Sequence, residues 1–261
     1  TNVQHAPSVD HASLALKPNL AFFGVDLRID LERRGWFPVG GGRVSVAVTK
    51  TRTTTDLLDL SGAEAHPVSL KAVVATKGRL PPTNVDGLLE ALERACAAAF
   101  PELATDITLC PHSDRRDPDD EPRQQKKKKR KRDQPAVAIQ LALTTSSGAT
   151  IAADVLQENS DDVDTEIADD VVETLKARAK SAGAGVDDQT ADQLVVFMAL
   201  RDGPTRLRCP APSCQHLDTS IHFTTLLTGV PFTVVEGDGF VVIECPGRSS
   251  PRRQQSPCLL Q

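Results

Sequence analysis

The sequence has few aromatic residues and no long apolar run. Among its 261 residues, aromatics make up 3%, with one Trp and no Tyr. A core must therefore be built from Val, Leu, Ala and Ile, and the hydrophobic content of 39% lets most of the chain fold. Since no apolar run approaches the roughly 20 residues of a membrane span, we expect no membrane association through a transmembrane helix.

A net positive charge is also missing. The formal charge is -5 at pH 7, so no global field attracts nucleic acid, and any contact with RNA or DNA requires a local basic patch. The opening stretch, TNVQHAPSVD, has neither Met nor the apolar core of a signal peptide, so we expect an internal stretch of a longer chain.

The six cysteines show no C-x-x-C spacing, and without a secretory signal they are expected to be free thiols in a reducing compartment. Cys209, Cys214, His216 and His222 form the series C-x4-C-x-H-x5-H. This is not a standard zinc spacing, so we predict no metal site held by these residues.

Hydrophobic periodicity divides the chain into blocks. Alternation predicts a pair of strands with a glycine-rich connection over 25–49. The remaining predicted elements are helices at 8–23, 85–100, 163–180, a capped helix beginning near 190, and 218–228, strands at 68–76, 105–110 and 205–209, and hairpins over 136–156 and 231–245. The segment 113–135 has no apolar residue and opposed charge blocks, so it is predicted to be disordered, as is the tail 247–261.

The stretch DQTADQLVVFMALRDG (188–203) allows two interpretations. Thr190 followed by Gln193 fits a capping box at the start of an apolar helix. Alternatively, Asp192 and Gln193 at a helix N-terminus are suited to a ligand site, because phosphates bind there. The stretch alone favours the cap, and other segments are needed to decide.

Three segments together resemble the RNA 3'-terminal phosphate cyclase family. TNVQHAPSVD resembles a stretch that in the family begins Gly-Gly-Thr-Asn and contains Ala-Pro. RRGWFPVGGGRV is similar to the family's Arg-Gly-aromatic-aromatic-Pro-x-Gly-Gly-Gly-x-Val motif. ADQLVVFMAL followed by SCQHLDTSIHF resembles its Ala-Asp-Gln-Leu helix and its active-site histidine segment. The resemblance covers about 1–59 and 160–246.

The resemblance implies an α/β (α+β) fold. Repeated units, each a four-stranded sheet with two helices on one face, are interrupted by a small α/β insert domain. We therefore expect the end of an earlier unit at 1–59, the insert domain at 60–160, the last unit at 161–246 and a tail at 247–261. The N-terminal part of the family is absent, so the resemblance does not decide whether this chain alone is active.

The resemblance also implies chemistry. Members of the family use ATP to convert an RNA 3'-terminal phosphate to a 2',3'-cyclic phosphodiester, a ligase reaction, through a histidine–AMP intermediate and an RNA adenylate. It assigns His216 as the nucleophile, and Pro7, Gln189, Asp192 and Gln193 as contacts to ATP, which is used with Mg²⁺ or Mn²⁺. Asp192 would orient His216 or a metal-bound water.

The arginines that flank the GWFPVGGG loop are candidates for contact with the RNA that carries the 3'-phosphate. These are Arg33, Arg34 and Arg43, and a solvated strand end is an equally good interpretation of them. Two alternatives to the enzyme stay open. The first is a non-catalytic, cyclase-like protein of ribosome biogenesis. The second is a nuclear RNA-binding protein, in which the basic run Lys126 to Arg132 binds an import receptor. A nuclear location is expected from the same run.

Limited proteolysis tests the predicted disorder of 113–135. This segment cannot offset the roughly 1–2 kcal/mol per residue that ordering costs, so trypsin should cut first between Arg115 and Arg132. Fragments are identified by mass spectrometry over time. Resistance of these bonds while the folded blocks are cut would contradict the prediction.

Overall fold

The computed structural model describes residues 2–4, 6–38, 40–51, 54–78, 80–111, 135–158, 164–212 and 214–248. The predicted disordered segment, the basic run Lys126 to Arg132 and the predicted tail lie outside these ranges, apart from Pro135, Gly247 and Arg248. In the described part of the chain, no helix is long and apolar enough to span a membrane.

Six α-helices and ten strands make up the described residues. The helices are α1 (Val9–His11), α2 (Lys17–Ala21), α3 (Pro82–Ala99), α4 (Glu166–Ala182), α5 (Asp188–Leu200) and α6 (Gln215–Thr228), and a π-helical stretch, Ala12–Leu16, joins α1 to α2. The strands are β1 (Val25–Arg33), β2 (Arg43–Lys50), β3 (Leu58–Leu60), β4 (Pro67–Lys77), β5 (Thr105–Cys110), β6 (Ala136–Thr145), β7 (Thr150–Glu158), β8 (Thr205–Pro210), β9 (Thr233–Glu236) and β10 (Phe240–Cys245).

Sheet A is four-stranded, with the order β5-β4-β6-β7. β5 is parallel to β4, and the other neighbours are antiparallel. Because side chains alternate across a strand, every second residue of β4, β6 and β7 points to the same face. That face is apolar, and it shares one buried core with α3 and α4, including Leu88, Leu92, Val171 and Leu175.

Sheet B is also four-stranded, with the order β3-β8-β10-β9. Alternate residues of β8 and β10, Leu207 and Ile243 among them, form a second buried core with α5 and α6. Each sheet thus carries two helices on one face, which confirms the predicted α/β class. The predicted domain boundaries stay predictions, but β3 pairs with β8 and α4 packs on sheet A, so both cores draw on residues from two predicted blocks.

The residues before β4 cover the opposite face of sheet A. We call residues 9–21 the N-terminal helical segment. Asn19 in this segment accepts a hydrogen bond from the Thr150 N–H (3.0 Å) and donates one to the Thr150 carbonyl (2.7 Å). Trp36, in the loop between β1 and β2, packs against Ala75 and Ala136. A buried amide that is fully paired on both sides holds the segment in one position on the sheet.

The start of α5 differs from the prediction. The predicted capping box of Thr190 and Gln193 is wrong, because the cap is Asp187 and the helix begins at Asp188. The Thr190 N–H and hydroxyl both donate to the Asp187 carboxylate, at 2.8 and 2.9 Å. The Gln193 amide instead donates to the Gln189 carbonyl. Asp187 lies three residues before Thr190, and its two carboxylate oxygens accept a helix N–H and the Ala152 N–H of β7, so this residue takes the cap position.

The segment that leads into α5 passes directly against β8. Val186 donates its N–H to the Arg208 carbonyl at 3.0 Å. A Cβ atom on Gly185 would lie 1.9 Å from the same carbonyl oxygen, so only glycine fits at that position. This close approach places Asp187 beside β7, where its carboxylate also accepts the Ala152 N–H at 2.9 Å.

Asp187→Ala should destabilise the protein strongly. The side chain is 0% exposed and accepts three hydrogen bonds, so its loss leaves buried donors unpaired and costs about 2–4 kcal/mol. Urea unfolding measures the change, with Asp169→Ala on the exposed face of α4 as the control, expected within about 0.5 kcal/mol of wild type. Equal effects of the two substitutions would contradict the role of Asp187.

Candidate functional site

The candidate site lies between the N-terminal part of α5 and the first turn of α6. α6 begins at Gln215, three residues before the predicted start, so His216 belongs to its first turn. Cys214 caps this helix, and its sulfur accepts the Leu217 N–H at 3.4 Å. The His216 side chain is exposed, whereas Leu217 beside it is buried in the core of sheet B. The core therefore fixes the helix while the imidazole stays open to a ligand.

Asp192 on α5 is electrostatically coupled to His216. Burial raises the pKa of the Asp192 carboxyl to about 6, the charge of His216 acts to lower it, and Asp187 and Asp188 act to raise it. The structure therefore brings together two of the predicted site residues, an imidazole and a carboxylate, on two packed helices. A carboxylate that titrates near neutral pH beside a histidine is a common feature of catalytic and binding sites.

Gln189 and Gln193 lie on the same side of α5, where hydrogen bonds within the protein engage their side-chain amides. The Gln193 amide donates to the Gln189 carbonyl at 2.8 Å, and the Gln189 side chain hydrogen-bonds to Asp154 on β7. The Gln189 carbonyl oxygen Oε1 is buried and has no partner among the described residues.

Pro7 is exposed and lies two residues before the N-terminal helical segment. Its neighbours Ala6 and Ser8 line a narrow cavity, which Gln140 and Asp154 of sheet A line from the other side. Ser8 caps α1 and donates its hydroxyl to Gln140 Oε1 at 3.1 Å. The structure thus connects Pro7 to Gln189 indirectly, through Asp154, and we find no direct contact between Pro7 and His216 among the described residues.

A buried polar cluster joins these parts, and most of it was missed from the sequence. His11 is 0% exposed, and its Nε2 lies 3.3 Å from the Thr190 hydroxyl. Arg178 on α4 donates to the Ala152 carbonyl and pairs with Asp188, at 2.8 and 2.9 Å. Burial raises the pKa of Asp154, while His11, Arg178 and Gln189 act to lower it.

One signal for this cluster was present in the sequence. Gln140 and Asp154 are the single amide and the single charged residue in the otherwise apolar stretches AVAIQLAL and ATIAADVL. A polar side chain in such a strand needs a buried partner, and so indicates a polar contact on that face of the sheet.

The three predicted RNA-contacting arginines occupy different environments. Arg34 is 12% exposed and forms a bidentate ion pair with Asp10, so its guanidinium is engaged within the fold. Arg33 and Arg43 face each other at the end of the β1–β2 pair where the GWFPVGGG loop connects the strands, and Arg43 lies 3.9 Å from Glu32. Contact with RNA stays a prediction for all three, and Arg34 is the least accessible of them.

The structure does not bring together the four residues considered for zinc, Cys209, Cys214, His216 and His222, as a metal site. Among the residues that the structure describes, no group of three or more His, Cys, Asp or Glu side chains is arranged to hold a metal ion. Cys209 is buried in the core of sheet B, where burial raises the pKa of its thiol to about 12. The five described cysteines are all free.

The chain belongs to the RNA 3'-terminal phosphate cyclase family, whose model matches residues 1–234. Relatives with the name RNA 3'-terminal phosphate cyclase include one from Drosophila melanogaster, 26% identical over 95% of this chain and 63% of its own length. Those from Caldivirga maquilingensis and Pyrobaculum aerophilum are each 27% identical, over 97% and 95% of this chain and 66% and 64% of their own lengths. The chain thus spans a little under two thirds of the length of these relatives.

Removing the Asp192 charge should stabilise the fold at high pH. Because the folded pKa lies above the ordinary value near 3.9, the charged side chain destabilises the folded state increasingly between about pH 4 and 6, and fully above pH 6. Asp192→Asn should therefore gain about 1–2 kcal/mol at pH 8 and little at pH 4, the side chain being only partly buried. Urea unfolding at the two pH values measures this difference.

Asp106→Asn, on exposed β5, is the matched control and should show no such gain. A destabilised Asp192→Asn at pH 8 would show that the ionised carboxylate makes a net favourable contact in the fold. That result would contradict the burial that we assign to it.

Proposed function

We propose that this chain carries the nucleophile and part of the nucleotide site of an ATP-dependent RNA 3'-terminal phosphate cyclase. One observation supports the proposal most strongly. The exposed imidazole of His216, in the first turn of α6, and the partly buried carboxylate of Asp192, one turn into α5, are electrostatically coupled across two packed helices. Family membership supports the same reaction.

The first step forms a phosphorus–nitrogen bond. A ring nitrogen of His216 attacks the α-phosphorus of ATP, the bond to the bridging oxygen breaks, and pyrophosphate leaves. A neutral imidazole has the free lone pair that this attack requires near neutral pH. The N-terminus of α6 favours the negative charge of the phosphates next to His216.

The next two steps transfer the adenylate and close the ring. An oxygen of the RNA 3'-phosphate attacks the adenylate phosphorus and releases His216. The adjacent 2'-hydroxyl then attacks the activated 3'-phosphorus, and AMP leaves. A phosphate monoester dianion resists attack by a hydroxyl, so adenylylation replaces one difficult step by two easier ones.

Asp192 orients His216 in this scheme. Its ionised carboxylate accepts a hydrogen bond from the imidazole nitrogen that does not react, and stabilises the positive charge that grows on the ring during attack. Asp192 is ionised above about pH 6, so the first step is expected to accelerate as the pH rises through this value. In this role Asp192 is a positioning residue.

The use of a divalent metal ion stays an expectation. The described residues do not form a metal site of their own, so we assign no step to Mg²⁺ or Mn²⁺. Either ion is expected to arrive with the phosphates of ATP, since Mg²⁺ often binds through phosphates and few protein carboxylates.

The remaining site residues are proposed contacts to the two substrates. Gln189, Gln193 and Pro7 are assigned to ATP. Arg33 and Arg43 are the better placed of the three arginines for RNA, because they flank the loop that connects β1 and β2, whereas Arg34 is paired with Asp10. The nuclear location and the import receptor for Lys126 to Arg132 remain predictions.

Labelling with ATP that carries radioactive α-phosphate tests the nucleophile. The chain and a hybrid, in which the unmatched part of the Drosophila relative completes this chain, are incubated with Mg²⁺ or Mn²⁺. The hybrid should retain label that is labile in acid and stable in alkali, because protonation of the ring nitrogen makes it a leaving group. The chain alone should label more weakly, since positioning supplies much of the rate.

His216→Ala should abolish the label in the hybrid. His222→Ala is the matched control, because His222 is an exposed histidine of the same helix, and it should label like the unsubstituted protein. Label that survives His216→Ala, or acid-stable label on lysine, would contradict the assignment of His216.

A further inference from the structure

A second cavity lies on the opposite face of sheet A from its helical core. This cleft has a volume of about 530 Å³ and opens between the N-terminal helical segment, the base of the β1–β2 pair and sheet A. Cavities of roughly 300–1,000 Å³ accommodate small ligands or a short segment of a polymer. None of its lining residues belongs to the proposed catalytic site.

Two lysines stand on opposite walls of the cleft. Lys17 comes from the N-terminal helical segment and Lys71 from β4, and both side chains are exposed. Neither lysine has a hydrogen bond or an ion pair within the described ranges. Asp26 is the carboxylate of the cleft and pairs with neither lysine, so the lining carries a net charge of one positive unit.

The other side chains that line the cleft are mostly small, and most are apolar or carry a hydroxyl group. Leu14, Pro18 and Ala142 provide apolar surface, while the Thr144 and Thr150 hydroxyls hydrogen-bond to each other at 3.2 Å. The lining contains no aromatic side chain on which a base would stack. A ligand would therefore be held by its negative charge, with little selection among bases.

We propose that this cleft binds the internal phosphodiester backbone of single-stranded RNA, through Lys17 and Lys71. The proposal rests on the proposed RNA substrate, and extends it from the 3' end to the strand that precedes that end. Ammonium groups on two facing walls suit a polyanion that passes between them. Such contacts add affinity that is independent of sequence and sensitive to salt.

The position of the cleft suits internal phosphates better than the terminal one. Ser8, which lines the cavity beside Pro7 and caps α1, and Lys17 are nine residues apart along the chain, which corresponds to at most about 14 Å at the α-helical rise. At about 3.4 Å per stacked nucleotide, this span equals about four nucleotides. An RNA 3' end that reacts with an adenylate held near Pro7 would therefore place a phosphate several nucleotides back at the lysines.

The test measures binding of single-stranded RNA of about ten nucleotides to the 261-residue chain by fluorescence anisotropy over a range of salt concentrations. The cleft variant is Lys17→Gln with Lys71→Gln. The matched control is Lys176→Gln with Lys180→Gln, two exposed lysines of α4 on the other side of sheet A. Each RNA is prepared with a 3'-phosphate and with a 3'-hydroxyl.

The cleft variant should bind both RNAs about ten-fold more weakly near 0.1 M salt, and its slope of log K against log salt should be lower by about 1.4, or about 0.7 for each phosphate that a lysine no longer neutralises. The control variant should match the unsubstituted chain. An unchanged slope, an equal weakening in the control, or undetectable RNA binding by the unsubstituted chain would overturn the proposal. Weaker binding confined to the 3'-phosphate RNA would place the lysines at the RNA end and also overturn it.

Labelling of His216 by ATP in the absence of RNA separates this proposal from the proposed function. Normal labelling together with unchanged RNA binding in the cleft variant would reject the cleft alone. Absence of labelling in the completed hybrid would reject the proposed function, whatever the cleft variant does.

Discussion

The fixed start of α5 is the constraint on which the candidate site depends. Asp187 is completely buried, and its carboxylate holds the first turn of α5 to the backbone of β7. Thr190 extends the same contact to His11, so the helical segment after Pro7 meets the helix at this point. Two cores and the N-terminal segment therefore share one buried polar junction. Asp192 lies one turn further along α5, and its position against His216 follows from that junction.

The two carboxylates differ in what they contribute. Asp187 is surrounded by donors, so its charge is satisfied and supports the fold. Asp192 is partly buried, and the two neighbouring carboxylates, Asp187 and Asp188, oppose its ionisation, so the charged form opposes stability above about pH 6. A residue that reduces the stability of the fold is expected at a functional site, where catalysis rather than packing determines which residue occupies the position. This contrast, rather than burial alone, distinguishes the site from the structural cluster beside it.

Much of the architecture was predictable from the sequence, because periodicity reports local structure. The strands Val25–Arg33 and Arg43–Lys50 and the hairpin formed by β6 and β7 follow alternation that depends on the residues of each strand alone. The pairing of Leu58–Leu60 with β8 was not predictable, since it joins residues far apart in the chain. The same holds for α4, whose apolar stripe predicts a helix but not which sheet it covers. The capping contact of Asp187 with the Thr190 N–H is local, but its second contact, with the Ala152 N–H of β7, joins residues far apart in the chain and was not predictable. At the site, motif resemblance selected His216 and Asp192, but only the packing of α5 on α6 shows that they are coupled.

The central claim is that His216 accepts the adenylate. The most direct measurement is to incubate the completed hybrid with ATP, digest it without exposure to acid, and locate the adduct by fragmentation mass spectrometry. The account predicts one adenylate, attached to a ring nitrogen of His216, in amounts that fall when Asp192 is replaced by Asn. An adenylate on any other residue, or an adduct on His216 whose amount does not depend on Asp192, would contradict it.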